Sequence, residues 1–390
     1  MEVYLDNSAT TEVSPEAAKK AREAMELVWG NPSSLHSRGL DAERLVLEAR
    51  ENILRSLGIT DRSAAKFGRL VFTGSGTEAD NLAIFGTAHA KAQSRGGRII
   101  TTDSEHPAVL ESCKALESEG FDVVYIRSRG GVLDMEQYMN ALTPRTVIVS
   151  IMAVNNETGA AYDIKSAFDA AHKLSPDIVT HTDAVQAYSH IPFSPDRLGA
   201  DLVTISGHKI HAPKGTGALI IRPELLKAKR IVPILRGGGQ ENGLRSGTEN
   251  VPGIAGFGAA AAEITPARIS KDLGHFSELR EYLMRRLPDG VRVNTPEGKY
   301  APHIISLTLP KIKSESMLNF LSGRGIYVSS GSACSSHGKK GSHVLAAFGL
   351  PLSEADCTIR VSLGRSTSKE MLGVFTDALA EGCRTLVKMN

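Results

Sequence analysis

The chain has 390 residues, 41% of them hydrophobic and 23% charged, which is long enough for more than one domain and excludes a disordered or collagen-like protein. Its 45 Lys+Arg against 43 Asp+Glu leave a formal charge of +2, too little to argue for nucleic acid as a direct partner. No apolar run approaches the roughly 18 residues of a membrane helix, no basic-then-apolar signal opens the chain, and the four cysteines, Cys113, Cys334, Cys357 and Cys383, lack zinc-ribbon or disulfide-framework spacing. The expectation is a soluble, reduced, cytoplasmic protein with no membrane partner.

In chain order, Ser14-Pro15-Glu16 supplies the N-cap, first-turn proline and first-turn acid of a helix expected through about Val28. A second helix is expected from about Leu35 to Leu57, ended by Gly58. Seven short apolar runs then read as strands: Leu70–Phe72, Arg98–Ile100, Val123–Ile126, Val147–Val149, Ile178–Val179, Leu202–Ile205 and Ala218–Ile221. Helical stretches, such as Thr77–Ser94 and Ile164–Leu174, separate most of them. Strands apolar on both faces and alternating with helices predict an α/β fold, with a mostly parallel seven-stranded sheet sandwiched by helices and a ligand at its carboxyl ends. The Ala-rich segment Asn250–Glu263 leads out of this unit, and the chain closes on a helix from about Lys369 to Lys388. Residues 14–265 therefore read as a large domain, and residues 1–13 with 266–390 as a smaller α+β domain carrying a Gly-punctuated loop at about 323–341.

The chemistry-bearing residues cluster at the predicted strand ends. Ser206-Gly207-His208-Lys209 follows one strand, and a lysine there can form a Schiff base, although a lone strand-end lysine is more often merely solvated. Asp183, at the end of another strand, can pair with a protonated ring nitrogen or simply cap a turn. Thr73-Gly74-Ser75-Gly76-Thr77 is a Gly-rich turn entering a helix, suited to phosphate through backbone N–H groups, and it is neither a Walker motif nor a dinucleotide turn. His106 offers a flat imidazole for stacking, and Asn155-Asn156-Glu157-Thr158-Gly159 ends a further strand. Each has a plain structural reading. Together, a lysine, an acid, an amide, a stacking ring and a phosphate turn supply the separate parts of one pyridoxal 5'-phosphate site.

A second centre is Ser329-Ser330-Gly331-Ser332-Ala333-Cys334, continuing through His337, Lys339 and Lys340 to Gly341. A thiol among these cations is expected to ionise below the ordinary value of about 8.5 and to react as thiolate. The other three cysteines fall in helical or extended patterns and read as packing residues. Cys334 and His337 alone fall short of a zinc site.

These motifs make the chain similar to the cysteine desulfurases of the NifS/IscS type, fold-type I pyridoxal-phosphate enzymes with a class-V aminotransferase-like fold. The resemblance runs through Tyr4–Thr11, Asn31-Pro32-Ser33-Ser34, Gly76-Thr77-Glu78, Glu105-His106, Asn155–Gly159, Asp183–Gln186 and Ser206–Lys209. It continues through Gly237–Glu241, Arg245–Thr248, Gly331–Cys334 and Arg360-Val361-Ser362. It implies that Lys209 carries the cofactor as a Schiff base, His106 stacks on its ring, Asp183 pairs with the ring nitrogen, and Asn156 and Gln186 contact the ring substituents. It further implies a phosphate held by Gly76, Thr77, Ser206, His208 and Thr248, the last from a second subunit of a homodimer. Arg360, Asn31 and Asn156 would hold the substrate. Lys209 and His106 would serve catalysis, and Cys334 would take sulfur from L-cysteine as a persulfide, leaving L-alanine.

The sulfur would pass to an acceptor protein, an iron–sulfur scaffold or a tRNA-thiolation enzyme. No resident metal is implied; transient ligation of an iron–sulfur cluster by Cys334 is the one metal role in view. The end of the chain at Asn390, without the longer tail of scaffold-docking members, and the basic stretch after Cys334 leave the acceptor unnamed. The alternatives are a selenocysteine lyase or other lyase on this fold, and, outside enzymes, a cofactor-fold binding partner or metal carrier.

Overall fold

Strands with apolar residues on both faces are stable only when both faces are covered. The computed structural model, which describes residues 1–60, 69–95, 97–331 and 341–388, meets this condition. Its large sheet contains β1 (Leu70–Thr73), β2 (Arg98–Thr102), β3 (Asp122–Ile126), β4 (Thr146–Ser150), β5 (Val179–Asp183), β6 (Leu202–Ser206) and β7 (Gly217–Ile221), in the spatial order β1-β7-β6-β5-β4-β2-β3. Only β7 runs against the rest, antiparallel to both β1 and β6. β1 and β3 are the edge strands, and four of the five residues of β3 are not fully buried. All seven expected strands are present and the sheet is mostly parallel. Apolar residues on both faces could not reveal the reversal of β7.

The pleat sorts successive residues to opposite sides. Val71, Ile99, Ile148, Val179, Leu202 and Leu219 pack with residues of α3 (Gly76–Arg95) and α4 (Pro107–Ser118). Leu70, Phe72, Ile100, Val149, Val203 and Ile205 pack with α1 (Pro15–Glu26), α2 (Ser37–Ser56), α5 (Ile164–Leu174) and α6 (Val251–Ala262). Ser14 caps α1 by accepting from the Ala17 N–H at 3.3 Å, as its position before Pro15 predicts. Asn250 caps α6, accepting from the Gly253 N–H at 3.2 Å. The small residues of α6 let it lie close to α2: a Cβ on Gly258 would overlap the Cα of Ala49.

A second, antiparallel sheet has the order β8 (Arg292–Val293), β9 (Ile304–Thr308), β11 (Thr358–Ser362), β10 (Ser329–Ser330). It packs against α7 (Pro266–Arg286), α8 (Ser314–Ser322) and α9 (Lys369–Thr385) through Phe276, Leu279, Ile305, Leu307, Met317, Ile359, Val361 and Phe375. Val3 and Leu5 belong to this second core, and Val3–Tyr4 pairs in parallel with Ile326–Tyr327. The chain then crosses to the large sheet. Ser8 N–H donates to the Ser362 hydroxyl at 2.9 Å, and Thr11 N–H to the His208 carbonyl at 3.0 Å.

Candidate active site

Five strand ends of the large sheet and one strand of the second deliver residues to one cavity of about 550 Å³ at the carboxyl end of the large sheet. Lys209 and His208 follow β6, Ser206 ends it, Asp183 ends β5 and Gln186 lies just beyond. His106 precedes α4 after β2, Asn156 lies on the loop after β4, and Gly76 and Thr77 open α3 after β1. Arg360 enters from β11 of the second sheet. Lys209, His106, Asp183, Gln186, Asn156, Ser206, His208, Gly76, Thr77 and Arg360 all line this cavity.

The phosphate turn has its own local logic. Ser75 caps the start of α3, its hydroxyl accepting from the Glu78 N–H at 3.1 Å, while the Glu78 carboxylate accepts from the Gly74 N–H at 2.8 Å. Arg245 Nε holds that carboxylate at 2.8 Å. The first N–H groups of a helix have no partner within it, so this end of α3 suits an anion. The turn is close-packed at Gly76, where a Cβ would stand 3.1 Å from Val185 and 3.3 Å from Ser206.

Lys209 Nζ donates to the carbonyls of Ser8 and Ala9, the latter at 2.9 Å, and Gln186 donates to the Ser8 carbonyl at 2.9 Å. The N-terminal segment thus forms one wall of the site. Burial raises the Asp183 carboxyl above its ordinary value, opposed by the nearby His106 and Lys209 and by the Val185 N–H, which donates to it at 2.9 Å. Burial lowers His106, and its Nδ1 accepts the Ala108 N–H at 3.1 Å. The neutral ring therefore carries its proton on Nε2. Burial also pulls His208 down to about 4 and pushes Glu105 up to about 8. Arg360 donates to the Asp6 carboxylate and to the Asn156 carbonyl, each at 2.9 Å.

Two expected residues lie elsewhere in this chain. Asn31 and Thr248, both exposed, line a separate depression of about 370 Å³ with Met25, Trp29 and Pro252. Cys334 and His337 fall outside the described residues. Cys113, Cys357 and Cys383 are buried, as expected of packing residues. Sequence reasoning missed four parts of the wall: the Ser8–Ala9 carbonyls, Asp80, Glu157 and His343. Of these, Ser8, Ala9 and Glu157 lay inside recognised motifs, whereas Asp80 and His343 did not.

The residues present fit pyridoxal phosphate. The lysine faces a buried acid and a flat imidazole in one cavity with a helix N-terminus. Among the described residues, the buried Asn156 Oδ1 and Arg360 Nε have no hydrogen-bond partner, and buried polar atoms of this kind call for a ligand or water. Comparison with known proteins is decisive on kinship: the class-V aminotransferase pattern matches residues 3–375. The chain belongs to that family.

Within the family it falls among the cysteine desulfurases. It is 41% identical to the cysteine desulfurase IscS of Dictyoglomus turgidum, over 97% of this chain and 93% of the relative. It is 38% identical to the IscS of Methanosarcina thermophila, over 100% and 93% of the two chains. A solved NifS-like protein superposes with a TM-score of 0.90 at 36% identity, covering 99% of this chain and 100% of that one. A NifS-like protein from Rickettsia africae gives 0.85 at 31% identity, with 99% and 100% covered. No helix among the described residues is long and apolar enough to cross a membrane.

Proposed function

We propose that the chain is a pyridoxal-phosphate-dependent cysteine desulfurase that removes sulfur from L-cysteine, leaves L-alanine, and carries the sulfur as a persulfide on Cys334. The observation that carries this reading is the convergence of Lys209, Asp183, His106 and the α3 N-terminus with Arg360 of the second sheet in one cavity.

In this reading Lys209 is the point of covalent attachment, Asp183 faces the ring nitrogen, His106 the ring, and Gly76, Thr77, Ser206 and His208 the phosphate. When bound, the cofactor supplies an electron sink for negative charge developing at the substrate's Cα. Lys209 Nζ moves the α-proton. A buried acid whose carboxylate is disfavoured by desolvation is stabilised by a cation, which a protonated ring nitrogen provides. Arg360, held in orientation by Asp6 and the Asn156 carbonyl, binds the substrate carboxylate with its remaining donors. Cys334 accepts the sulfane sulfur, a reversible modification that an acceptor thiolate removes.

Asn31 and Thr248 act across a homodimer. They sit together, exposed, beside Met25, Leu27 and Trp29, which are 58%, 63% and 68% exposed. Large apolar side chains grouped at the surface mark an interface, and a two-fold copy carries this patch to the partner's cavity. The thiol requires a reducing cytoplasm, and the acceptor is an iron–sulfur scaffold or a tRNA-thiolation protein.

The test is mass spectrometry of the holoenzyme after L-cysteine, expected to show about 32 Da added on Cys334. Borohydride should fix the cofactor to the wild type and not to Lys209→Ala. A protein that gains no sulfur, or a cofactor fixed elsewhere, would sink the reading.

A further inference from the structure

His343 lines the same cavity and has no role in the reading above. It begins the short helix His343–Phe348, capped by Ser342, whose hydroxyl accepts from the Leu345 N–H at 3.1 Å. The same hydroxyl donates to the Glu157 carboxylate at 2.5 Å. Glu157 is itself buried and lines the cavity. The imidazole is therefore anchored through its neighbour as well as through its own ring.

The ring's bond settles its tautomer. His343 Nε2 lies 2.9 Å from the backbone carbonyl of Glu105. A carbonyl oxygen only accepts, so Nε2 carries a proton whenever this bond is made. Any proton the ring exchanges must pass through Nδ1, which in the neutral ring is a lone pair, and no described residue donates to it.

His106 is the opposite case. Its Nδ1 is occupied by the Ala108 N–H, so as a neutral ring it can only donate. Lys209 Nζ has the α-proton to move, and the Asp183 carboxyl is engaged by the Val185 N–H at 2.9 Å. Of these two histidines, His106 is set to give a hydrogen bond and His343 to take a proton.

We propose that His343 is the proton acceptor for the substrate's side-chain thiol, a role that deepens the desulfurase reading and rests on it. The balance is simple. The Cys334 thiolate attacks the substrate sulfur, the S–S bond forms, and the S–Cβ bond breaks. The two sulfurs are each oxidised by one electron and Cβ is reduced by two. The thiol proton passes to His343 Nδ1 and from there to Cβ, giving the methyl group of alanine and leaving the persulfide anion on the protein. No external oxidant or reductant enters. Among the described residues, the titratable groups that face His343 are Asp103 on the turn after β2, His106 at the start of α4 and Glu157 on the loop after β4.

The experiment compares the wild-type holoenzyme with His343→Gln, whose amide can still donate to the Glu105 carbonyl, and with His343→Phe, which cannot. Two reactions are measured: alanine formation from L-cysteine between pH 6 and 10, and exchange of the α-proton of L-alanine in deuterated water. The second needs the cofactor and Lys209 but no thiol proton. In both variants kcat for L-cysteine should fall about 100-fold, the lower range for general acid–base catalysis. KM and the alanine exchange should stay within about threefold of wild type, since neither involves the thiol proton.

Desulfuration by His343→Gln within threefold of wild type overturns the inference. Equal loss of both reactions overturns it too, because His343 would then be structural. A wild-type holoenzyme that neither desulfurates cysteine nor exchanges alanine overturns the reading beneath it instead.

Discussion

Arg50 of α2 grips Glu241 with two parallel hydrogen bonds, Nη2 to Oε1 at 2.8 Å and Nη1 to Oε2 at 3.0 Å, and both side chains are buried. Oε2 also accepts the Phe72 N–H of β1 at 3.1 Å, and the guanidinium lies 4.9 Å from the centre of the Phe72 ring. Glu241 and Asn242 are both left-handed, with φ of +50° and +56°, a conformation that surrounding contacts must hold. The pair thus fastens the loop leading to Arg245 and Thr248 onto the edge of the sheet. Removing one partner strands a buried charge, so Glu241→Ala should cost about 3–5 kcal/mol in urea unfolding. A loss under 1 kcal/mol would show that the pair is not what holds the loop.

Arg360 makes a different kind of demand. Its bonds to Asp6 and to the Asn156 carbonyl leave Nε without a described partner. Arg360→Lys keeps the charge but loses the planar fork. KM for L-cysteine should rise about 10- to 100-fold, the worth of a charge-assisted hydrogen bond, while the cofactor remains bound. An unchanged KM would remove Arg360 from substrate binding.

Acid stability should depend on two stacked histidines at the junction of the sheets. The rings of His190 and His303 lie 4.2 Å apart and 15° from parallel. Both His303 ring nitrogens are buried without a hydrogen-bond partner among the described residues. Burial lowers His190 to about 4 and His303 well below its ordinary value of 6.5. Below pH 6.5 the unfolded chain therefore takes up protons that the folded chain refuses, and stability falls as the pH drops from there toward 4. His303→Leu should raise the melting temperature, with an advantage that widens over this window. Parallel curves of melting temperature against pH would contradict it.

The patch around Trp29 gives a prediction about assembly. Trp29→Glu places a charge among Met25, Leu27 and Val28 and should shift the protein to a monomer in gel filtration with its circular dichroism intact. A variant that still elutes with the wild type would place the interface elsewhere.

Much of the fold was legible because its signals are local. Ser14-Pro15 and Asn250 mark helix starts that the structure keeps, and each of the seven apolar runs became a strand, six of them within about two residues and the run Ile178–Val179 extending on to Asp183. The first helix nevertheless ends at Glu26, short of the expected Val28, and α4 carries no N-cap signal beyond His106-Pro107. The candidate site was legible where a residue sits at a strand end, as with Lys209 and Asp183. It was opaque where position depends on distant chain. Nothing local ties Ser8 to Lys209, 201 residues away, or His343 to the Glu105 carbonyl, 238 residues away. The separation of Asn31 and Thr248 from the cavity is likewise a property of packing, invisible to motif spacing.

The crossing of residues 6–11 between the two sheets has a practical side. Just before it Val3–Tyr4 pairs with Ile326–Tyr327, Asp6 braces Arg360, and the Ser8 and Ala9 carbonyls accept from the ammonium of Lys209. Removing residues 1–11 should therefore loosen Arg360 and Lys209 together, and a bulky fusion there would strain the contacts that join the two sheets. Purification handles belong at the other end.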